Sequence, residues 1–150
     1  MKNFQLNKDV YIAAFIYFIA TAVVKWLFHP QLLSIVLYAL GALVGLHLLE
    51  VEERVFGGDS SPFRTVLAQF VLTVMTFFVI TSTNSYIGAG LVLFLNLRYL
   101  HLEYSQWQKN KSLASWFQVI SIPLTKQNEK TYLYVFLGIF TLESILFLII

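Results

Sequence analysis

Five long apolar runs, separated by short polar interruptions, dominate this 150-residue chain. A helix that crosses the hydrocarbon core of a bilayer needs about 20 mostly apolar residues. Runs near that length cover 10–28, 32–51, 63–81, 86–102 and 132–150, and each predicts a transmembrane α-helix. The breaks between them carry helix punctuation. Proline disfavours helical backbone at the residue before it, so His29-Pro30 turns the chain. Gly57-Gly58 suit a helix C-terminus, and Ser61-Pro62 suit an N-cap followed by a first helical position. TSTNS, at 81–85, suits a short hairpin connection.

The polar stretch before the last run is longer than a simple connection requires. Within it, SLASWFQVISIPL at 112–124 mixes Leu113, Trp116, Phe117, Val119, Ile120 and Ile122 with Ser112, Ser115, Gln118 and Ser121. At 13 residues it is too short to span, and Lys109, Lys111 and Lys126 flank it. An amphipathic interfacial or re-entrant segment is the expectation. The predicted fold is therefore an all-α integral membrane protein: a single transmembrane domain over 1–150, with a bundle of about five helices and this segment ahead of the last one.

Composition supports that class. Hydrophobic residues make up 58% and charged residues only 12% of the chain, against about 25% charged in an average soluble domain. Mean hydropathy is +0.72. A net charge of +2 spread over so few ionic groups is no basic nucleic-acid surface, so no nucleic-acid partner is expected. The absence of cysteine excludes disulfides, thiolate nucleophiles and iron–sulfur ligation.

Charge placement predicts the orientation. With five spans, Lys2, Lys8, Arg54, Arg64, Arg98, Lys109, Lys111, Lys126 and Lys130 share one side, and only Lys25 falls on the other. By the positive-inside rule this gives a cytoplasmic N-terminus and an external C-terminus in a cell (inner) membrane. Trp26 and Tyr86 near the outer ends, with Tyr11, Tyr104, Trp107, Tyr132 and Tyr134 near the inner ones, agree. A competing expectation is a signal peptide, with an apolar core at 10–19 and cleavage after Ala20-Thr21-Ala22. The apolar run continues past that point for a full span, which favours a retained helix.

Two polar constellations interrupt the apolar pattern. In LGALVGLHLLEVEERVFGGD, at 40–59, a helical rotation of about 100° per residue puts His47, Glu50 and Arg54 in one arc, with Glu53 between that arc and Glu52. Gly41 and Gly45 lie on the Glu52 side, in a small-xxx-small spacing that suits close helix packing. The fourth run ends in NLRYLHLEY, where Asn96, Tyr99 and Glu103 share one face and Arg98 and His101 another. The two segments run in the same direction, so Arg98 is expected to meet Glu50 or Glu53, and His101 to meet His47 or Glu50. Glu143 stands alone beyond the middle of the last run. A carboxylate facing lipid there is costly, and Lys25, offset by roughly 6 Å in depth, is the expected intramembrane ion-pair partner.

These residues bound the function. His47, Glu50 and His101 are the residue types that could ligate a divalent metal, but three histidines in all make a lean set, and no metal or other cofactor is expected. No nucleophile motif is present and no catalytic residue is assigned. The expected role is a small polytopic, non-catalytic accessory, assembly or interaction subunit. Its partners would be the lipid bilayer and a second copy or another membrane protein. The alternative is a proton, ion or small-solute transporter component using Glu143, Lys25 and the His47/Glu50/Arg98/His101 cluster. A membrane-embedded metal enzyme is third.

Overall fold

A computed structural model of the chain describes residues 8–56, 63–117 and 125–150, with the side chains of Glu53 and Phe56 outside that description. Five α-helices follow one another: α1 (Lys8–Phe28), α2 (Leu32–Phe56), α3 (Val66–Ser82), α4 (Tyr86–Asn110) and α5 (Lys126–Ile149). A single 3₁₀ turn, Ala114–Phe117, lies between α4 and α5. The described residues contain no strand. By length and composition α1, Leu32–Glu52 of α2, and α5 can each cross a membrane, while α3 is apolar but shorter.

Helix boundaries are set by capping chemistry. Thr65 caps α3 by accepting from Ala68 N, Ser85 caps α4 by accepting from Gly88 N, and Thr125 caps α5 by accepting from Asn128 N. α4 continues eight residues past the apolar run, until Lys111 takes a left-handed conformation (φ 52°) as its C-cap. α5 starts six residues before its apolar run. The polar segments EYSQWQKN and KQNEKT contain the good helix formers Glu, Gln and Lys, so hydropathy alone understates both helices. The glycine pair after α2, the Ser61-Pro62 pair and residues 118–124 lie outside the described residues.

α4 touches each of the other four helices, and its closest neighbour is α2. The two run parallel with their backbones in contact. A Cβ at Gly41 would overlap the Ile87 carbonyl, one at Gly45 the Leu91 carbonyl, and one at Gly90 the Tyr38 carbonyl. Only glycine permits this approach. α1, α3 and α5 run the opposite way: Tyr11 and Thr21 meet Glu50 and Tyr38 of α2, while Tyr99 and Asn96 of α4 meet Phe63 and Thr76, and Glu103 and Asn96 meet Tyr132 and Glu143 of α5, each pair in reverse order.

Two apolar clusters fill the bundle. Ala14, Tyr38, Leu93, Phe94, Phe140 and Phe147 form one, with rings of Tyr38 and Phe147 stacked 4.9 Å apart. Leu49, Leu72, Leu95, Tyr99, Leu113 and Trp116 form the other. The 3₁₀ turn thus folds back onto the bundle. Trp116 meets Tyr99 edge to face, and its Nε1 donates to Gln106 Oε1 at 2.7 Å. Outward-facing positions remain apolar on every side, among them Phe15, Leu33, Phe70 and Leu137. Such a surface needs lipid or another protein to cover it.

The α2–α4 contact yields a direct test. Gly41→Ala and Gly45→Ala should each lower the thermal unfolding midpoint in detergent, corresponding to about 1–3 kcal/mol of overpacking. Gly138→Ala should be neutral or stabilising, because no atom lies within 4 Å of a Cβ there and alanine favours helix over glycine by about 1 kcal/mol. Equal effects at all three positions would contradict the close approach.

Candidate functional site

The end of the bundle where α2 finishes gathers one group of polar side chains. Glu50 on α2 is its hub. Its Oε2 lies 3.0 Å from His47 Nδ1 one turn earlier, and its Oε1 accepts from the Tyr11 hydroxyl of α1 at 2.9 Å. Arg98 of α4 places Nη2 3.7 Å from the same Oε1, an ionic contact without a short hydrogen bond. Three helices therefore converge on one carboxylate, and the Tyr11 and His47 rings lie 5.9 Å apart. Arg54 is exposed, and the Glu53 side chain lies outside the description. His101 does not join. Its Nδ1 lies 3.5 Å from Ser105 Oγ on its own helix.

That placement bears on metal chemistry. His47 and Glu50 come together but His101 does not, and no group of three His, Asp or Glu side chains among the described residues could hold a metal ion.

The expected Lys25–Glu143 pair is not formed. Lys25 is 5% exposed and donates from Nζ to the Phe147 carbonyl at 2.9 Å, with the Phe147 and Tyr86 rings 5.1 and 5.8 Å away. Glu143, 1% exposed, instead accepts at Oε2 from Asn96 Nδ2 at 2.9 Å. The second Asn96 amide proton goes to Thr76 Oγ1 at 3.0 Å, and that hydroxyl donates to the Leu72 carbonyl at 2.8 Å. Thr76 and the carboxylate both need a donor, which fixes the amide orientation. Depth was a poor guide to pairing, because Phe147 lies one turn along α5 from Glu143 and offers Lys25 a carbonyl and an aromatic face.

Sequence reasoning missed two further interior groups. Gln69, fully buried on α3, accepts from the Tyr132 hydroxyl of α5, and the buried carboxyl of Glu103 lies against both. On the other side of α5, the Tyr17 hydroxyl meets Ser144 Oγ at 2.8 Å, while Tyr38 meets Thr21 at 3.0 Å. The signal for the first was present. Gln69, Thr73 and Thr76 recur at helical spacing along an otherwise apolar α3 and form its buried polar stripe.

Between α2 and α3, with α4 as its floor, an apolar cleft of about 640 Å³ opens on the side of the bundle. Leu67, Val71 and Met75 form one wall ridge at i, i+4, i+8, and Leu91, Leu95 and Tyr99 form the floor with the same spacing.

The described residues form an all-helical bundle with an apolar exterior, in which three helices are long and apolar enough to cross a membrane. No protein-family model, curated protein or solved structure matches this chain.

The contacts generate a paired prediction. A double-mutant cycle of Tyr11→Phe with Glu50→Gln should give a coupling of about 0.5–1.5 kcal/mol, the net worth of a typical intramolecular hydrogen bond, since the glutamine keeps an acceptor oxygen. Lys25→Met with Glu143→Gln should be additive within about 0.5 kcal/mol. Strong coupling in the second cycle would restore the ion pair.

Proposed function

We propose that the chain is a five-span membrane protein that works by binding another membrane protein rather than by catalysis. In this reading α3 and α4 also cross the bilayer, the N-terminus faces the cytoplasm, residue 150 faces outward, and the membrane is the cell (inner) membrane. The distribution of basic residues supports that orientation, as does Lys111 over the Trp107 ring at 4.9 Å, a basic and aromatic pairing suited to the headgroup level. The 3₁₀ turn Ala114–Phe117 would then lie at the cytoplasmic interface, anchored by Trp116.

The observation that carries the interaction reading is the cleft. A ridge on α3 beside an apolar floor on α4, both at i, i+4 spacing, is a surface a further helix can pack into. The cleft follows nine residues of α3 and nine of α4, a rise of about 12 Å at 1.5 Å per residue. Its occupant in this reading is one apolar transmembrane helix of a partner. The interior polar groups point the same way, since Glu50, Asn96 and Glu143 are engaged in contacts between helices of the bundle itself.

A photoreactive residue replacing Val71 should crosslink in native membranes to a polypeptide of defined mass. The same probe at Phe15, on the exposed face of α1, should label lipid. Lipid labelling alone at Val71 would overturn the interaction reading.

A second reading, a transport component, rests on Glu143, because an intramembrane carboxyl is a functional site by default. Proton or cation flux into liposomes that exceeds empty vesicles and disappears in Glu143→Gln would support it. Flux equal to that of empty vesicles would remove it.

A further inference from the structure

Lys25 poses a problem of charge. Its side chain is almost wholly buried, its expected carboxylate is committed to Asn96, and neither described ion pair, His47–Glu50 or Arg98–Glu50, involves it. A carbonyl and two aromatic faces can hold an ammonium group, but they do not neutralise it, and a buried charge is costly unless it is paired. An ammonium also has three N–H donors. One goes to the Phe147 carbonyl, and no second acceptor is present among the described residues.

Those donors border a cavity of about 290 Å³ at the end of the bundle where α1 and α5 finish. Its wall combines Thr83, Asn84, Ser85 and Tyr86 with apolar residues of α3 and α5 and with Ile150, and no acidic side chain lines it. Ser85 Oγ accepts from Gly88 N, which leaves its hydroxyl proton available, and the exposed Asn84 amide makes no hydrogen bond within the described chain. α4 begins at Tyr86, and of its first-turn N–H groups Gly88 and Ala89 donate to Ser85, which leaves those of Tyr86 and Ile87 without an acceptor in their own helix. Water occupies about 30 Å³ per molecule, so the cavity has room for a polyatomic anion and part of its hydration shell.

We propose that this cavity binds a phosphate group, with the Lys25 ammonium supplying the charge and Asn84, Ser85 and the start of α4 supplying further donors. Several donors arranged around one buried cation suit a tetrahedral oxyanion better than a planar carboxylate. Lys25 lies one turn from the end of its helix, so the group can come from a phospholipid head or from free phosphate. The site stands whatever occupies the apolar cleft, which lies on another side of the bundle.

A ligand that binds only the folded state raises the unfolding midpoint according to its concentration. The full chain in a phosphate-free maltoside detergent should therefore gain thermal stability on titration with inorganic phosphate at constant ionic strength, chloride being the reference anion. A short-chain phosphatidylglycerol, added in a separate series, should do the same. A shift with both probes identifies the phosphate group itself as the ligand, and a shift with the lipid alone identifies a headgroup; either supports the site. Lys25→Met should raise the midpoint concentration by about tenfold or more, Lys25→Arg should largely restore it, and Arg54→Gln at the opposite end should leave it unchanged. Asn84→Ala, at an exposed position, should weaken the response severalfold without disturbing the fold, so the site remains testable if Lys25→Met does not fold. The proposal fails if neither probe shifts the midpoint, or if Asn84→Ala and each folded Lys25 variant respond like the parent chain.

Discussion

The backbone contact between α2 and α4 is the constraint on which the rest of the bundle depends. Gly41 and Gly45 on one helix and Gly90 on the other remove the Cβ at three points of the crossing, so carbonyls lie where side chains would normally stand. That places α4 at the centre and lets it reach all the other helices. It also sets the register in which Arg98 arrives beside Glu50, while Asn96, about half a turn away on the same helix, meets α3 and α5 instead. The lateral cleft has the same origin. α2 lies so tightly on α4 that α3, packed on another side of α4, is left with a gap between itself and α2.

The buried charged groups are handled locally, each by a different device. Glu50 sits close to the polar boundary and gathers a phenol, an imidazole and a guanidinium from three helices. Glu143, deeper in, has a single amide from Asn96, whose other proton is tied to Thr76. Lys25 has a main-chain carbonyl and two rings. Opposite charges on neighbouring helices, separated by little more than one turn in depth, are thus kept as two independent sites. A neutralised pair would have closed both, whereas the observed arrangement leaves the lysine with unused donors beside a cavity.

Much of the architecture was legible in the residues because it follows from rules that act within one helix. Apolar run length located the five helices, and the spacing of Gly41 and Gly45 marked a packing face. Rotation along α2 and α4 also placed Glu50 and Arg98 on faces that meet. What could not be read was the choice among neighbours across helices. His101 and Arg98 share a helical face by rotation, yet only Arg98 has the reach to meet Glu50. Lys25 and Glu143 match in charge, but the one-turn offset in depth sets Lys25 level with Phe147, whose carbonyl it takes, and leaves Glu143 to Asn96 of α4. Hydropathy likewise hid the polar extensions of α4 and α5, whose helicity is fixed by capping and propensity. Interhelical selection is a packing property, and it becomes visible only when all five helices are in place.

The α2–α4 crossing joins elements that are not consecutive, and this has a consequence for biogenesis. Gly45 meets the backbone at Leu91 and Leu95, so about 50 residues separate the two sides of the contact. At roughly 5–20 residues per second of synthesis, α2 emerges some seconds before the surface that its glycines fit. During that interval its bare backbone face has no native partner, since α3, the next helix made, packs chiefly on α4 and α5. The nascent α2 is thus a helix in waiting, open to a wrong neighbour until α4 arrives. The order of synthesis makes the fourth helix the step that closes the fold.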